Sequence, residues 1–229
     1  NIDGNGNILL NDKLDNLSYK IIKDNSNLSF DTKINLKNNS LLIDFLDYKK
    51  KENLDSIVSI KGNFRKNGHL RFDLINLKEK NNEISIKGLD LNKNFEIINI
   101  ENFNINYKNN KKILNKLKLK KDNSNFIIEG DSFDASKMIN IIMDSDDESP
   151  SIFQNLNSKV SIEIKKTYID EVNYMNFLYG NINFNNNKIN NLKLESIFPN
   201  NKKINLSIQV NNNSEIITKL FSDYPKPLV

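Results

Sequence analysis

Ile204-Asn205-Leu206-Ser207-Ile208-Gln209-Val210 places an apolar side chain at every second position and a polar one at each position between. That period of two marks a β-strand with one apolar face and one wet face. Leu28, Phe30, Thr32, Ile34 and Leu36 repeat the pattern against Ser29, Asp31, Lys33 and Asn35, and Val160, Ile162 and Ile164 repeat it against Ser161, Glu163 and Lys165. Strands of this kind, paired in sequence order, make a long antiparallel sheet that is apolar on one side only.

Working outward from these stretches, alternation and turn residues predict strands over 17–23, 28–37, 41–48, 54–65, 69–77, 83–91, 95–107, 112–120 and 125–130. A second set follows over 158–166, 168–173, 177–185, 188–197 and 203–211. Asn67-Gly68 is the strongest hairpin signal, since both residues tolerate positive φ. The expected topology is an antiparallel meander without long crossovers. One short helix is expected near 134–143, where Asp134 caps the N–H of Ser136 or Lys137 and Met138, Ile141 and Ile142 share a side. The acidic run Asp144 to Glu148 reads as a solvated linker. The expected organisation is therefore a meander over 1–143, a linker over 144–151 and a second meander over 152–229 within one continuous elongated sheet. The hairpins that start at Gly62 and Gly180 look alike, which suits an array of repeated hairpins.

Composition narrows the function classes. The 229 residues are 38% hydrophobic and lack Trp, and Asn makes up about a fifth of them. Much of the polar decoration is thus the drift of an AT-rich genome. A net charge of +4, from 33 basic and 29 acidic residues interspersed along the chain, does not argue for a nucleic-acid partner. With no Cys there is neither a disulfide framework nor a thiolate metal site, so a reducing cytosol and a bacterial periplasm both stay open. No apolar run approaches 18 residues, and a chain that begins at Asn1 rather than Met reads as a piece of a longer protein.

Signals for catalysis or metal binding are weak. His69, the single histidine, sits at a hairpin tip beside Gly68 without a nucleophile elbow or an oxyanion loop, and reads as an exposed turn residue. The opening Asn1 to Asp12 imitates a calcium loop in its oxygen donors and Gly6, but lacks the first Asp and the bidentate Glu, so a Gly/Asn turn is expected instead. Lys108, Lys111, Lys112, Lys116, Lys118, Lys120 and Lys121 form a local basic patch whose alternate members share one wet face. The sequons at Asn16, Asn27 and Asn205 arise from the Asn content. Paired catalytic carboxylates, a P-loop and a dinucleotide fingerprint are absent from the sequence, so no enzyme, no cofactor and no metal are expected.

Leu41 to Lys51, the Ser56 to Gly62 strand, Phe126-Ile127-Ile128-Glu129-Gly130-Asp131-Ser132-Phe133-Asp134-Ala135-Ser136 and the hairpins from Val160 to Val210 together resemble the AsmA-like superfamily. The resemblance is to the central and C-terminal region of its YhdP-type members, with TamB-type members more distant. It covers nearly the whole chain and carries no catalytic signature. It implies an inner-membrane-anchored periplasmic bridge in a Gram-negative envelope, built like the chorein-type lipid-transfer proteins. In these a long sheet curls into an open, taco-like groove for phospholipid acyl chains. The anchor would lie outside this segment, and outer-membrane components are the further partners implied.

The residues themselves leave two outcomes for the apolar face, because one short helix is too little to cover it. Either the sheet folds on itself as a sandwich, serving as an interaction or adhesin-like module, or the face stays open to an apolar ligand. In the second case the groove candidates are Phe30, Ile34, Val58, Ile60 and Phe72, then Ile162, Ile164, Phe184, Leu206 and Ile208.

Overall fold

The computed structural model describes residues 1–24, 27–66, 68–137, 156–211 and 215–224. The chain is mainly β, a mostly antiparallel meander, and divides into two compact units, Asn1–Lys112 and Ile113–Val229. The acidic run at 144–148 lies outside the described residues.

In the first unit β1 (Ile2–Leu10), β2 (Lys13–Asp24), β3 (Asn27–Asn35), β6 (Ile57–Arg65), β7 (Leu70–Glu79), β8 (Asn82–Leu91) and β10 (Asn102–Lys108) are neighbours in that order. Between β3 and β6 the chain makes a separate hairpin of β4 (Leu41–Ile43) and β5 (Tyr48–Lys50), and β9 (Ile97–Asn99) adds to β8. The second unit runs β11 (Leu114–Asp122), β12 (Asn125–Asp134), β13 (Ser158–Tyr168), β14 (Tyr174–Asn185), β15 (Lys188–Ile197), β16 (Lys203–Val210) and β17 (Ile216–Ser222). Among the described strands, neither unit joins its first strand to its last, so neither sheet closes on itself.

Two-residue turns rich in asparagine set the register. Asn11 and Asp12 have φ of 46° and 65°, and Asn186 and Asn187 have 47° and 66°. Two successive positive φ values twist the chain in the sense that antiparallel strands require. The hairpins β1–β2 and β14–β15 close accordingly at Leu10↔Lys13 and Asn185↔Lys188. This corrects the expectation of a turn over residues 1–12: most of the segment is strand β1. Donors at alternate positions of a strand stand about 6.6 Å apart along it, so Asn1, Asp3 and Asn5 do not wrap a cation as a calcium loop does.

Other expected strands are broken by local polar chemistry. The predicted 41–48 strand is interrupted by a single 3-10 turn at Asp44–Leu46 and by Asp47 at φ 49°, which reverses the chain into β5. The predicted 168–173 strand is mostly a turn, because Asp170 Oδ1 accepts the N–H groups of Val172 at 2.8 Å and Asn173 at 2.6 Å. β17 lies beyond the predicted strands.

The meander also has one exception. β12 and β13 are parallel, with Phe126↔Val160 and Ile128↔Ile162 in register. Parallel strands are not joined by a tight turn, and a longer connection separates Asp134 from Ser158. The connection begins as expected: Asp134 Oδ1 accepts the Ser136 N–H at 3.1 Å and its hydroxyl at 2.6 Å, and Ser136 and Lys137 are helical. The rest of the expected helix, from Met138 onward, lies outside the described residues.

Candidate functional site

The registers carry the apolar positions of one strand onto those of the next. In the first unit Leu17, Ile34, Val58, Leu77, Ile84 and Ile105 follow one another across six strands. A second row runs through Thr32, Ile60, Ile75, Ile86 and Phe103, and a third through Ile21, Phe30, Gly62, Phe72 and Leu89. The five candidates of this unit, Phe30, Ile34, Val58, Ile60 and Phe72, therefore come together on one face, and all five are half-buried. Phe30 and Phe72 meet edge to face over Gly62, with ring centroids 6.0 Å apart. Gly62 is needed there: a Cβ on it would lie 2.8 Å from the Phe30 ring and 2.1 Å from the Arg71 carbonyl oxygen.

The second unit repeats this arrangement. Leu119, Ile128, Ile162, Gly180, Leu194, Leu206 and Leu220 form one row, and Phe126, Val160, Ile182, Leu192 and Ile208 form the next. Ile162, Leu206 and Ile208 are half-buried, Ile164 is buried, and half-buried Phe184 lies at the end of the face opposite Ser158 and Ile189. Gly180 again faces backbone, since a Cβ on it would lie 1.9 Å from the Lys193 carbonyl oxygen. Ile84, Ile86, Ile105, Ile182 and Leu192 belong to these faces although the sequence reading did not single them out. The signal was present, because each lies in a predicted strand and continues a row from its neighbour.

In both units the face is bent by register shifts. One falls between Lys61 and Gly62 on β6, others between Lys116 and Leu117 on β11 and between Asn176 and Tyr179 on β14. Such shifts add twist and curvature to a sheet.

One end of the first unit's face is closed. One same-face position beyond Leu77, Ile84 and Ile105 stand Glu79 and Tyr107, and all five are buried. The β4–β5 hairpin covers them. Tyr48 packs on Tyr107 at 5.2 Å between ring centroids and donates its hydroxyl to Glu79 at 2.7 Å, while the Tyr107 hydroxyl donates to the Leu46 carbonyl. Burial and the nearby Glu79 carboxylate push the Tyr48 hydroxyl well above the ordinary phenol range. The hairpin is held from below by polar groups. Lys50, with no exposed surface, donates to the carbonyls of Lys37 at 2.9 Å and Asn39 at 2.5 Å. Burial lowers its ammonium pKa, partly offset by Asp15 and Glu79. Asp15 accepts the N–H groups of Lys37, Asn38 and Asn39. Burial alone would raise the Asp15 carboxyl, but these donors and the Asn39 side chain outweigh it and hold it below the ordinary range.

The opposite face is wet. Lys116, Lys118 and Lys120 are exposed, as expected of their alternation. Lys116 and Lys165 clamp Asp131 at 2.6 Å and 2.7 Å, which brings its pKa down to about 2. His69 stands at the β6–β7 turn, half-buried, its carbonyl accepting the Arg65 N–H at 2.9 Å. Among the described residues no three His, Asp or Glu side chains are placed to hold a metal ion, and no helix is long and apolar enough to cross a membrane.

The fold and the site define a class, an open and mostly antiparallel β-meander in which each unit carries a partly exposed apolar face. No family model, no curated protein and no solved structure matches the chain.

Proposed function

We propose that the chain is a non-enzymatic segment of a periplasmic, bridge-like lipid-transport protein of the AsmA-like kind, which holds phospholipid acyl chains on its apolar faces between the inner and outer membranes. The observation that carries this reading is the partial exposure of nine of the ten candidate side chains, all but the buried Ile164. In a closed sandwich core these positions would be covered by a facing sheet. A row of half-covered Ile, Leu and Phe side chains is instead suited to a mobile apolar guest, which gains about 0.8 kcal/mol per buried CH₂ and needs no specific contact. Selectivity among acyl chains is then low.

Native mass spectrometry with lipid extraction, on the protein expressed in a Gram-negative periplasm, tests the proposal. Co-purified phospholipid is the expected result, and its loss on Ile162→Asp with Ile208→Asp in a chain that stays folded would place the lipid on this face. A folded, lipid-free protein would overturn the reading. One observation favours a second reading, an interaction module: β17 is an edge strand with Ile216 69%, Leu220 57% and Phe221 54% exposed, the kind of edge that pairs with another strand. A lipid-free oligomer in the same experiment would support it.

A further inference from the structure

The apolar face of the first unit is closed at one end by the β4–β5 hairpin, and its other end is cationic. The last row before the turns is Lys23, Leu28, Phe64, Leu70 and Leu91. Alternation with Ile21 places Lys23 on the apolar side at its rim. Beyond it lie Arg65, the last residue of β6, Lys66 in the turn that follows, and Lys93 after β8. The turns that carry them touch, since a Cβ on Gly68 would lie 3.3 Å from the Lys93 Cβ. All four cations are exposed, and none enters an ion pair among the described residues. At the closed end, by contrast, Lys13, Lys37 and Lys78 each face a carboxylate, Glu52, Asp55 and Glu83.

We propose that this rim, with Lys66 and Lys93 on turns that touch, Arg65 beside them and Lys23 at the β2 side, attracts the phosphates of anionic glycerophospholipids whose acyl chains lie along the face toward the closed end. The proposal rests on the acyl-binding reading above and adds an orientation and a headgroup class to it. The orientation follows from desolvation: a charged headgroup stays in water, so it cannot enter the end that Tyr48, Tyr107 and Lys50 fill. The face from Val58 to Phe64 is about 20 Å long, comparable to an extended fatty acyl chain. The headgroup class follows from charge, because cations without carboxylate partners attract a phosphate and are indifferent to a neutral glycerol.

The test compares phosphatidylglycerol and diacylglycerol with identical, fluorescently labelled acyl chains, offered to the full chain in neutral detergent micelles. The wild type should prefer phosphatidylglycerol by about tenfold, with the preference shrinking as salt rises. The variant Lys23→Ser/Arg65→Ser/Lys66→Ser/Lys93→Ser should lose the preference and bind diacylglycerol as before, with unchanged circular dichroism. Equal binding of the two lipids by the wild type, or a preference that survives in the variant, overturns the cationic rim and leaves acyl binding standing. Failure to take up either lipid overturns acyl binding itself.

Discussion

The two units build the same apolar face and finish it differently. In the first, an excursion over 36–56 between β3 and β6, with Leu36 and Ser56 buried at its two ends, folds back over the end of the face, burying its own Tyr48 and Lys50 and covering Tyr107. In the second, the interruption falls between β12 and β13 and changes strand direction, so the meander continues after a parallel pair. Row continuity survives both interruptions, because register is decided by which side chains share a face. An insertion that preserves the parity of its flanking strands leaves the face intact.

Removing the cover should have the largest effect. Tyr107→Ala deletes a buried ring and its hydrogen bond to Leu46, and should cost about 3–5 kcal/mol, with hydrogen exchange accelerating in 36–56 of the first unit while the second unit is unchanged. Uniform loosening of both units would show that they are not separate cooperative bodies. The equivalence of the two glycines comes next. Gly62→Ala and Gly180→Ala each force a methyl against a backbone carbonyl, and each should lower stability by about 2–3 kcal/mol in denaturant unfolding. A neutral result at either would mean that its register shift can relax and that the likeness of the two hairpins is superficial.

The smallest effect is electrostatic and separates the units by its salt dependence. Asp15 and Asp131 both have folded-state pKa values below 3.8. Each contributes stability that is present above the unfolded value and lost as pH falls through the folded one. For Asp131 that loss spans pH 3.8 to about 2. Its partners are the exposed ammonium groups of Lys116 and Lys165, so added salt should flatten the loss. Asp15 is itself buried and is held by three backbone N–H groups rather than by exposed ammonium groups, so its loss should persist in salt. Acid titrations of Asp15→Asn and Asp131→Asn at low and high salt separate the two, and identical salt responses would overturn the distinction.

Much of the fold was legible because alternation is a local property. Ile204 to Val210 announces its strand without reference to the rest of the chain, and β16 spans it. All ten groove candidates lie on apolar faces for the same reason. The errors cluster where a side chain bonds to nearby backbone: Asp170 turned an expected strand into a loop, and Asp47 split another. The opening segment was misread because Gly and Asn are turn formers in isolation, whereas β1 gains its order from pairing with Ile21, Tyr19 and Leu17 across the hairpin.

By itself, then, the sequence determined the class of element, the face on which each side chain stands and the position of several turns, since a period of two and a positive φ are decided within a few residues. Only the tertiary structure decided that β12 and β13 run parallel, that residues 36–56 close one end of a face, and that Asp15 and Lys50 are buried there. Those outcomes depend on contacts between residues tens of positions apart, such as Tyr48 with Glu79 and Tyr107 with Leu46. No local pattern encodes such contacts, because their free energy exists only once the intervening chain has been brought together.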